Sequence, residues 1–160
     1  MNWNGLPLVV FGRGGMSKET YCLIKDINRA NNQQMFDFLG FVSDSEQEIG
    51  DKVIDDYEII TFDLGILELA RKYPILGMVI PMGTPQVKSK IYDKVRTIVN
   101  GVYPNIIHPS VKFDKENVIL GIGNVITAGT VLTCDIKLGS FNLINRNTTC
   151  LLYTSDAADE

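Results

Sequence analysis

A six-residue repeat in the last third of the chain is the feature that most limits how this sequence can fold. Aliphatic side chains recur at every sixth position, and glycine directly follows two of them, at Gly121 and Gly139. The aliphatic positions are Leu120, Ile126, Leu132, Leu138 and Ile144. A strand repeats about every two residues and a helix about every 3.6, whereas each side of a triangular coil takes about one hexapeptide. The repeat therefore predicts the first coils of a left-handed parallel β-helix, with an ordinary β-meander as the alternative.

The segment before the repeat alternates between strand and helix patterns. Short apolar runs predict strands at 6–11, 35–42, 57–60 and 75–81. Helices are predicted after Ser17, which we expect to cap the first one, over 64–72, and from Pro85 onward. The last helix carries one apolar face, formed by Val87, Ile91, Val95 and Ile98. The acidic stretch 46–56 is predicted to be a loop. This order indicates a Rossmann-like α/β domain with a parallel sheet.

The chain changes character at Tyr103-Pro104, where the helix signals stop. We therefore predict an α/β domain over 1–104 and a partial β-helix over 105–149. The hexad phase requires an aliphatic residue at 156 but finds Asp156, and the ending becomes acidic. Residues 150–160 resemble translated adapter sequence and are predicted to be a non-native tail on a C-terminally truncated chain, the alternative being a native polar cap.

Composition restricts the possible partners and the compartment. The chain has 160 residues and a formal net charge of −4, which gives no reason to expect nucleic acid as a partner. No basic leader precedes an apolar stretch, and no run approaches the ~18 apolar residues of a membrane span. The cysteines Cys22, Cys134 and Cys150 show no CxxC spacing, so they are predicted to be reduced and mostly buried. These features predict a cytoplasmic protein with no membrane partner.

A glycine-rich turn after the first strand is the strongest candidate binding element. Gly12, Gly14 and Gly15 would let a phosphate approach the backbone at the start of a helix, whose N-terminus attracts negative charge. Position 17 is serine, so the spacing is not the GxGxxG of dinucleotide-binding proteins. We predict a nucleotide-sugar phosphate or a nucleoside as the ligand, with a purely structural turn as the alternative.

Two further candidates follow later strands of the predicted sheet. Asp44 ends the second strand, where a carboxylate can accept hydrogen bonds from a base or ribose, unless it is simply a solvated loop residue. Gly83 follows a later strand at the edge where open α/β sheets bind ligands, unless it forms an ordinary turn before Pro85.

His108 is the only histidine, so the sequence offers few side chains from which to build a Ser-His-Asp triad or a histidine-based metal site. We interpret His108 as structural, with a site-lining base as the alternative. Asn145 would either position a substrate or occupy a coil corner. The last helix carries four basic residues, Lys88, Lys90, Lys94 and Arg96. They are predicted to form a mainly solvated face, and the alternative is that they contact a phosphate.

Five segments together carry a family resemblance: residues 12–15, 40–44, 82–83, 107–110 and 124–147. They are the Gly-Arg-Gly-Gly turn, Gly-Phe-Val-Ser-Asp, Met-Gly, Ile-His-Pro-Ser and the repeats. On these segments the chain resembles the sialic-acid O-acetyltransferase and UDP-N-acetylbacillosamine N-acetyltransferase family. The resemblance implies a nucleotide-sugar-binding domain followed by a hexapeptide-repeat domain, acetyl-CoA as co-substrate, a nucleotide sugar as acceptor and a homotrimer when complete.

The same resemblance implies where the catalytic machinery would lie. The family's general base is a histidine about seven positions beyond the asparagine that matches Asn145, and Leu152 occupies that position here. No catalytic residue is therefore assigned, no metal is expected, and the acetyl-CoA-binding coils would follow later. The sugar amine or hydroxyl would attack the thioester directly. Whether the acceptor is O or N, and which sugar carries it, stays open. The alternatives are a non-catalytic nucleotide-sugar-binding module and a nucleotide-dependent oxidoreductase domain.

Overall fold

Two types of sheet follow one another along the chain. The computed structural model describes residues 3–82 and 84–144, together with the strand backbones at 149–150 and 154–155. The first half forms a single mixed sheet covered by helices. The second half forms three narrow parallel sheets. These two parts confirm the fold class predicted from the repeat and from the alternating strands and helices.

The first sheet has five strands. They are β1 (Leu6–Phe11), β2 (Phe36–Ser43), β3 (Lys52–Ile54), β4 (Tyr57–Phe62) and β5 (Gly77–Val79). Their order is β3-β4-β2-β1-β5, in which β3 alone pairs antiparallel. The helices are α1 (Gly15–Ala30), α2 (Ile66–Ala70) and α3 (Pro85–Arg96). Since β1 pairs with both β2 and β5, the strand order reverses direction between β1 and β5.

Two local predictions in this half are wrong. The stretch 46–56, predicted to be a loop, contains a 3-10 turn at Glu46–Glu48 and the edge strand β3, because Lys52 and Ile54 pair with β4. Ser17 does not cap α1: the helix begins at Gly15, Gly14 is its N-cap, and no side chain caps it. The Ser17 hydroxyl, already inside the helix, donates instead to the carbonyl of Phe11 at 2.7 Å.

Both faces of the sheet are covered. Successive side chains of a strand point to opposite faces, and both sets are apolar in β1, so each face needs a packing partner. Leu8 and Val10 of β1 pack in a cluster with α1, whereas Val9 and Phe11 pack in a second cluster with Ile66 of α2 and Val95 of α3. Of the predicted apolar face of α3, Val95 is fully buried, Ile91 and Ile98 are half-buried, and Val87 is 43% exposed. Val87 is exposed because it lines an open cleft at the edge of the sheet.

The repeat segment winds into three sides. Its strands are β6 (Ile106–Ile107), β7 (Lys112–Phe113), β8 (Val118–Leu120), β9 (Val125–Ile126), β10 (Val131–Leu132), β11 (Ile136–Leu138), β12 (Leu143–Ile144), β13 (Thr149–Cys150) and β14 (Thr154–Ser155). Every third strand pairs in parallel, giving the sheets β6-β9-β12, β7-β10-β13 and β8-β11-β14. The predicted inward positions Ile126, Leu132, Leu138 and Ile144 are buried, and Leu120 is half-buried. The hexad therefore encodes the sides of the coil.

One corner of the coil is lined by stacked asparagines. The amide nitrogen of Asn124 donates to the Asn105 side chain at 3.0 Å and to the Gly139 carbonyl at 2.9 Å. The amide oxygen of Asn124 accepts a hydrogen bond from the backbone N–H of Asn142 at 2.8 Å. Asn124 is fully buried, so this asparagine ladder gives the Asn142 N–H an acceptor and the Gly139 carbonyl a second donor beside the Gly121 N–H.

Two features concern the surface. Cys22 and Cys134 are free and exposed, which corrects the predicted burial, because Cys22 of α1 lines an open hollow beside the coil and Cys134 lies in a coil turn. The side chain of Cys150 lies outside the described residues. Over the described ranges, none of the helices is sufficiently long and apolar to traverse a bilayer.

Candidate functional site

A cleft of about 240 Å³ opens at the carboxyl edge of the parallel sheet. It receives Gly12 and Arg13 after β1, Asp44 and Glu48 after β2, and Asp63 after β4. Met82, Val87 and Ile91 add an apolar wall beside them. Open α/β sheets bind ligands outside the carboxyl ends of their strands, where the strand order reverses, and the cleft borders that point between β1 and β5.

Gly12 fixes the turn that shapes this cleft. Its φ of +89° lies in the left-handed region, and a Cβ there would come within 2.7 Å of the Ser17 hydroxyl. The backbone N–H of Gly12 donates to the carbonyl of Val42 at 2.8 Å, which ties the turn to the end of β2. The fold itself therefore requires glycine at position 12.

Gly14 and Gly15 differ from Gly12, because a Cβ at either position would meet nothing within 4 Å. The packing of the chain therefore does not demand glycine there. Gly14 lines a second hollow of about 320 Å³ that shares Gly12 and Met82 with the cleft. No side chain caps α1, and Gly14, Met16 and Ser17 at its start line this hollow, an arrangement that suits an anionic group.

Asp44 and Glu48 are the carboxylates on the β2 side of the cleft. Asp44 is exposed directly after β2, and the Ser43 hydroxyl lies 3.5 Å from its carboxylate oxygen. The same hydroxyl donates a hydrogen bond to Glu48. Asp44 thus keeps acceptor capacity toward the cleft, whereas Glu48 is engaged by Ser43.

Asp63 is held by the protein from two sides. Its carboxylate is buried, accepts the backbone N–H of Leu64 at 2.8 Å and lies 2.8 Å from the ammonium of Lys94. A buried carboxylate of this type requires such partners. Asp63 therefore ties α3 to the turn after β4 and forms part of the cleft wall.

Arg13 brings positive charge to the cleft. Its guanidinium lies 2.9 Å from Asp51 and 3.5 Å from Glu48, and the hydrogen bond with Asp51 raises the pKa of Arg13 above its ordinary value. Both partners belong to the segment that follows β2. The ion pairs therefore connect the glycine turn to the opposite side of the cleft.

The predicted site residues fall into two groups. Gly12 and Asp44 line the cleft, Gly14 lines the adjoining hollow, and Gly15 begins α1 beside them. Gly83, Asn145 and Leu152 lie outside the described residues. The roles of all these positions in binding stay predictions.

Several cleft residues are absent from the site predicted from the sequence, among them the charged Arg13, Glu48 and Asp63 and the apolar Val87. Arg13 could have been found, because it interrupts the glycine turn with a charge. Glu48 lies in the stretch 46–56 that the sequence predicts to be a loop, and Asp63 follows a strand that the sequence predicts to end at residue 60, whereas β4 ends at Phe62. Val87 belongs to the apolar face of α3, a pattern that does not distinguish a core position from a cleft wall.

His108 lies at the start of the first coil. The backbone N–H of Ser110 donates to Nδ1 at 3.0 Å, so Nε2 is assigned the proton and donates to Asp26 of α1, also at 3.0 Å. This contact joins the coil to the α/β domain and favours the structural interpretation of His108. Within the described ranges, no group of three or more His, Cys, Asp or Glu residues could hold a metal ion.

The charges of α3 form a mainly solvated face, as predicted, because Lys90, Lys94 and Arg96 are exposed; Lys88 is the exception. Lys88 is 5% exposed and its ammonium donates to the carbonyl of Phe141 at 2.7 Å. Burial lowers the pKa of Lys88 below its ordinary value. Lys88 therefore joins α3 to a corner of the coil.

Solved structures share this architecture. A perosamine N-acetyltransferase variant from Caulobacter crescentus, in complex with CoA and GDP-perosamine, is 20% identical with a TM-score of 0.72, covering 89% of this chain and 61% of that one. The acetyltransferase domain of PglB from Neisseria gonorrhoeae, in complex with acetyl coenzyme A, is 18% identical with a TM-score of 0.70, covering 91% and 64%. WeeI from Acinetobacter baumannii is 18% identical with a TM-score of 0.71, covering 95% and 68%.

At these identities the likeness establishes the fold, and the chain spans 61% and 64% of the first two of those proteins. No curated protein sequence matches the chain. The profile of the PglD N-terminal domain matches residues 7–95, which is more than half of the chain and includes the glycine turn, Asp44 and most of α3. The chain belongs to the PglD N-terminal domain family.

Proposed function

We propose that this chain contains the nucleotide-sugar-binding domain and the first acyltransferase coils of an enzyme that transfers an acetyl group from acetyl-CoA to an amine or hydroxyl of a nucleotide sugar. The observation that carries the proposal is the cleft in front of the uncapped glycine turn, at the strand-order reversal, in a member of this family. The solved neighbours crystallised with CoA, acetyl coenzyme A or GDP-perosamine support the same assignment.

In this proposal the parts of the ligand divide along the cleft. The diphosphate lies against the turn formed by Gly12, Gly14 and Gly15, where backbone N–H groups and the helix dipole favour negative charge. The base or ribose reaches Asp44, whose exposed carboxylate accepts hydrogen bonds. Gly83, which is adjacent in sequence to the cleft residue Met82, completes the predicted nucleotide-sugar site.

The acetyl-transfer half of the proposal rests on the coil. Asn145 positions the acceptor, and the base expected at position 152 is replaced by Leu152. The chain as given is therefore expected to bind ligand without transferring acetyl groups. Domain limits of 1–104 and 105–149, a foreign origin of 150–160, a homotrimeric complete enzyme and a cytoplasmic location belong to the same proposal.

Calorimetric titration of the chain with UDP, GDP and NADH tests the binding half. We expect saturable binding of UDP or GDP and none of NADH. Binding of NADH alone would favour the oxidoreductase alternative, and binding of none of the three ligands would contradict the proposed site.

A pair of glycine variants sharpens this test. Gly14→Ala places its methyl group in open space next to the proposed phosphate site, so it should leave the fold intact and weaken nucleotide binding by about tenfold. Gly12→Ala should destabilise the fold by ~1–3 kcal/mol, because it forces a side chain into a positive-φ turn beside Ser17. Unchanged nucleotide affinity in Gly14→Ala would count against the phosphate position.

Acetyl-CoA turnover separates the enzyme from a non-catalytic binding module. A longer reading frame in which the coil continues with a histidine near position 152 should transfer acetyl to an amino or hydroxy sugar nucleotide. Leu152 is the observation that favours the module. Turnover by the 160-residue chain itself would refute the assignment of the base to that position.

A further inference from the structure

We infer that Arg13 is the diphosphate contact of the cleft and that Asp51 competes with the ligand for the Arg13 guanidinium. This inference rests on the proposed function. It explains how the same site would bind a nucleoside diphosphate in preference to the nucleoside.

The charges around the cleft are unbalanced for an anionic ligand. Among the described side chains that line it, Arg13 alone is cationic, whereas Asp44, Glu48 and Asp63 are acidic. Lys94 lies against Asp63 at 2.8 Å and compensates that carboxylate. A diphosphate entering this cleft therefore meets repulsion from Asp44 and Glu48, and Arg13 supplies the compensating charge.

The position of Arg13 suits this role. It directly precedes Gly14, the N-cap of α1, so its side chain starts beside the backbone N–H groups at the beginning of that helix. Guanidinium groups bind phosphate oxygens through two parallel hydrogen bonds, which a lysine cannot reproduce. Arg13 and the helix N-terminus can therefore contact one diphosphate together.

The present partners of Arg13 hold it weakly. The Arg13–Asp51 pair spans 2.9 Å, and its two side chains are 43% and 50% exposed. Exposed pairs of this kind contribute little because water and salt screen them. A diphosphate carries more charge than one carboxylate and offers more acceptor oxygens, so it can replace Asp51 as the partner of Arg13. Each ligand molecule must, however, displace Asp51 first.

If Asp51 competes with the ligand, substitutions of Arg13 and of Asp51 should change the diphosphate affinity in opposite directions. Without Arg13 the diphosphate loses its cationic contact and binds more weakly. Without the Asp51 charge the guanidinium keeps only its longer contact with Glu48, at 3.5 Å, and the diphosphate binds more tightly. A nucleoside lacks the phosphates, so neither change should alter its affinity.

The experiment is calorimetric titration with UDP and GDP, and with uridine and guanosine, at low ionic strength. Arg13→Met should weaken diphosphate binding by about tenfold or more, and Arg13→Lys should recover part of the loss. Asp51→Asn should tighten it by about two- to fivefold, as the modest strength of an exposed pair implies. Glu46→Gln is the matched control: it removes the same charge from the 3-10 turn after β2, at an exposed residue, and should change affinity less than about twofold.

Three outcomes overturn the inference while leaving the proposed function intact: unchanged diphosphate affinity in Arg13→Met, weaker binding in Asp51→Asn, or an equal loss for nucleoside and diphosphate. If the unsubstituted chain binds neither UDP nor GDP, the proposed function fails and the inference fails with it. Asp51→Asn keeps the test decisive even if Arg13→Met unfolds, because the Asp51 side chain is exposed.

Discussion

The α/β domain and the coil bury apolar surface in different ways. In the α/β domain, Tyr21, Phe38, Phe41 and Tyr57 form an aromatic cluster with ring centroids 4.8–6.3 Å apart, brought together from α1, β2 and β4. In the coil, aliphatic residues stack above one another every third strand, and the asparagine ladder fills one corner. The first solution depends on distant segments and the second on a repeat, so the coil is much easier to recognise from sequence.

The two regions nevertheless share apolar contacts. Ile106 and Val125, on the first coil side, belong to the cluster that contains the buried residues of α1. Phe141, at a coil corner, packs against Tyr92 of α3 at 4.8 Å and against Tyr103 at 5.5 Å. The hydrophobic packing therefore continues from the first sheet into the coil sheets, and the domain limits at 104 and 105 stay a prediction.

The largest expected effect tests this shared core. Ile106 is fully buried at the junction, so Ile106→Ala should lower the free energy of unfolding by ~2–5 kcal/mol. Because its neighbours belong to both regions, urea unfolding should show one transition, shifted as a whole, by far-ultraviolet circular dichroism and by tyrosine fluorescence.

Ile119→Ala is the matched control, since Ile119 is 62% exposed on the same coil, and it should change stability by less than ~0.5 kcal/mol. Two separate transitions, only one of which responds to Ile106→Ala, would mean that the regions fold independently.

A smaller effect is expected from the asparagine ladder. Asn124→Ala removes a buried amide and leaves the Gly139 carbonyl and the Asn142 N–H without this partner, which should lower the free energy of unfolding by ~2–3 kcal/mol. Asn117→Ala, at an exposed asparagine bonded to Asp114, should cost less than ~1 kcal/mol and serves as the control. Equal losses for the two variants in urea denaturation would show that the ladder adds no stability beyond that of a surface contact.

The smallest effect concerns the buried ammonium that links α3 to the coil. Lys88→Met should change stability near neutral pH by less than ~2 kcal/mol, because loss of the bond to the Phe141 carbonyl is offset by relief of desolvation. Burial lowers the pKa of Lys88 in the folded chain, so the unfolded chain binds this proton more tightly. The wild type should therefore gain stability relative to Lys88→Met as pH rises from the folded pKa toward 10.5.

Denaturation of both proteins at neutral and at alkaline pH measures that difference. Lys90→Met, at an exposed position on the same helix, should show no such pH-dependent gain. A stability difference between wild type and Lys88→Met that falls with pH would contradict the assignment of a desolvated ammonium.

Much of the architecture could be predicted because the determining signals are local. The apolar run at 6–11 and Pro85 at a helix start match β1 and α3, and the hexad matches the coil sides. The edge strand β3 was missed because its polar, acidic surroundings resemble a loop and only pairing with β4 makes it a strand. The prediction that Ser17 caps α1 is wrong because a serine near a helix start looks the same in the sequence in two cases. It can cap the helix, or, as here, it can lie inside the helix and donate to an earlier carbonyl, that of Phe11.

The candidate site divides in the same way. Gly12, Gly14 and Asp44 could be found because a strand end followed by glycine or a carboxylate is visible in one segment. The acidic lining of the cleft, the Arg13–Asp51 pair and the buried Lys88 could not, because each depends on residues distant in the chain that become neighbours only when the sheet forms.

The sequence by itself determined the two-part architecture and the family, because periodicity and glycine spacing act over a few residues and directly set strand, turn and coil geometry. The tertiary structure alone decided which charges share the cleft, which cation is buried and how the two regions pack. Those properties depend on distances between remote segments, and Coulombic, desolvation and packing energies change steeply with such distances.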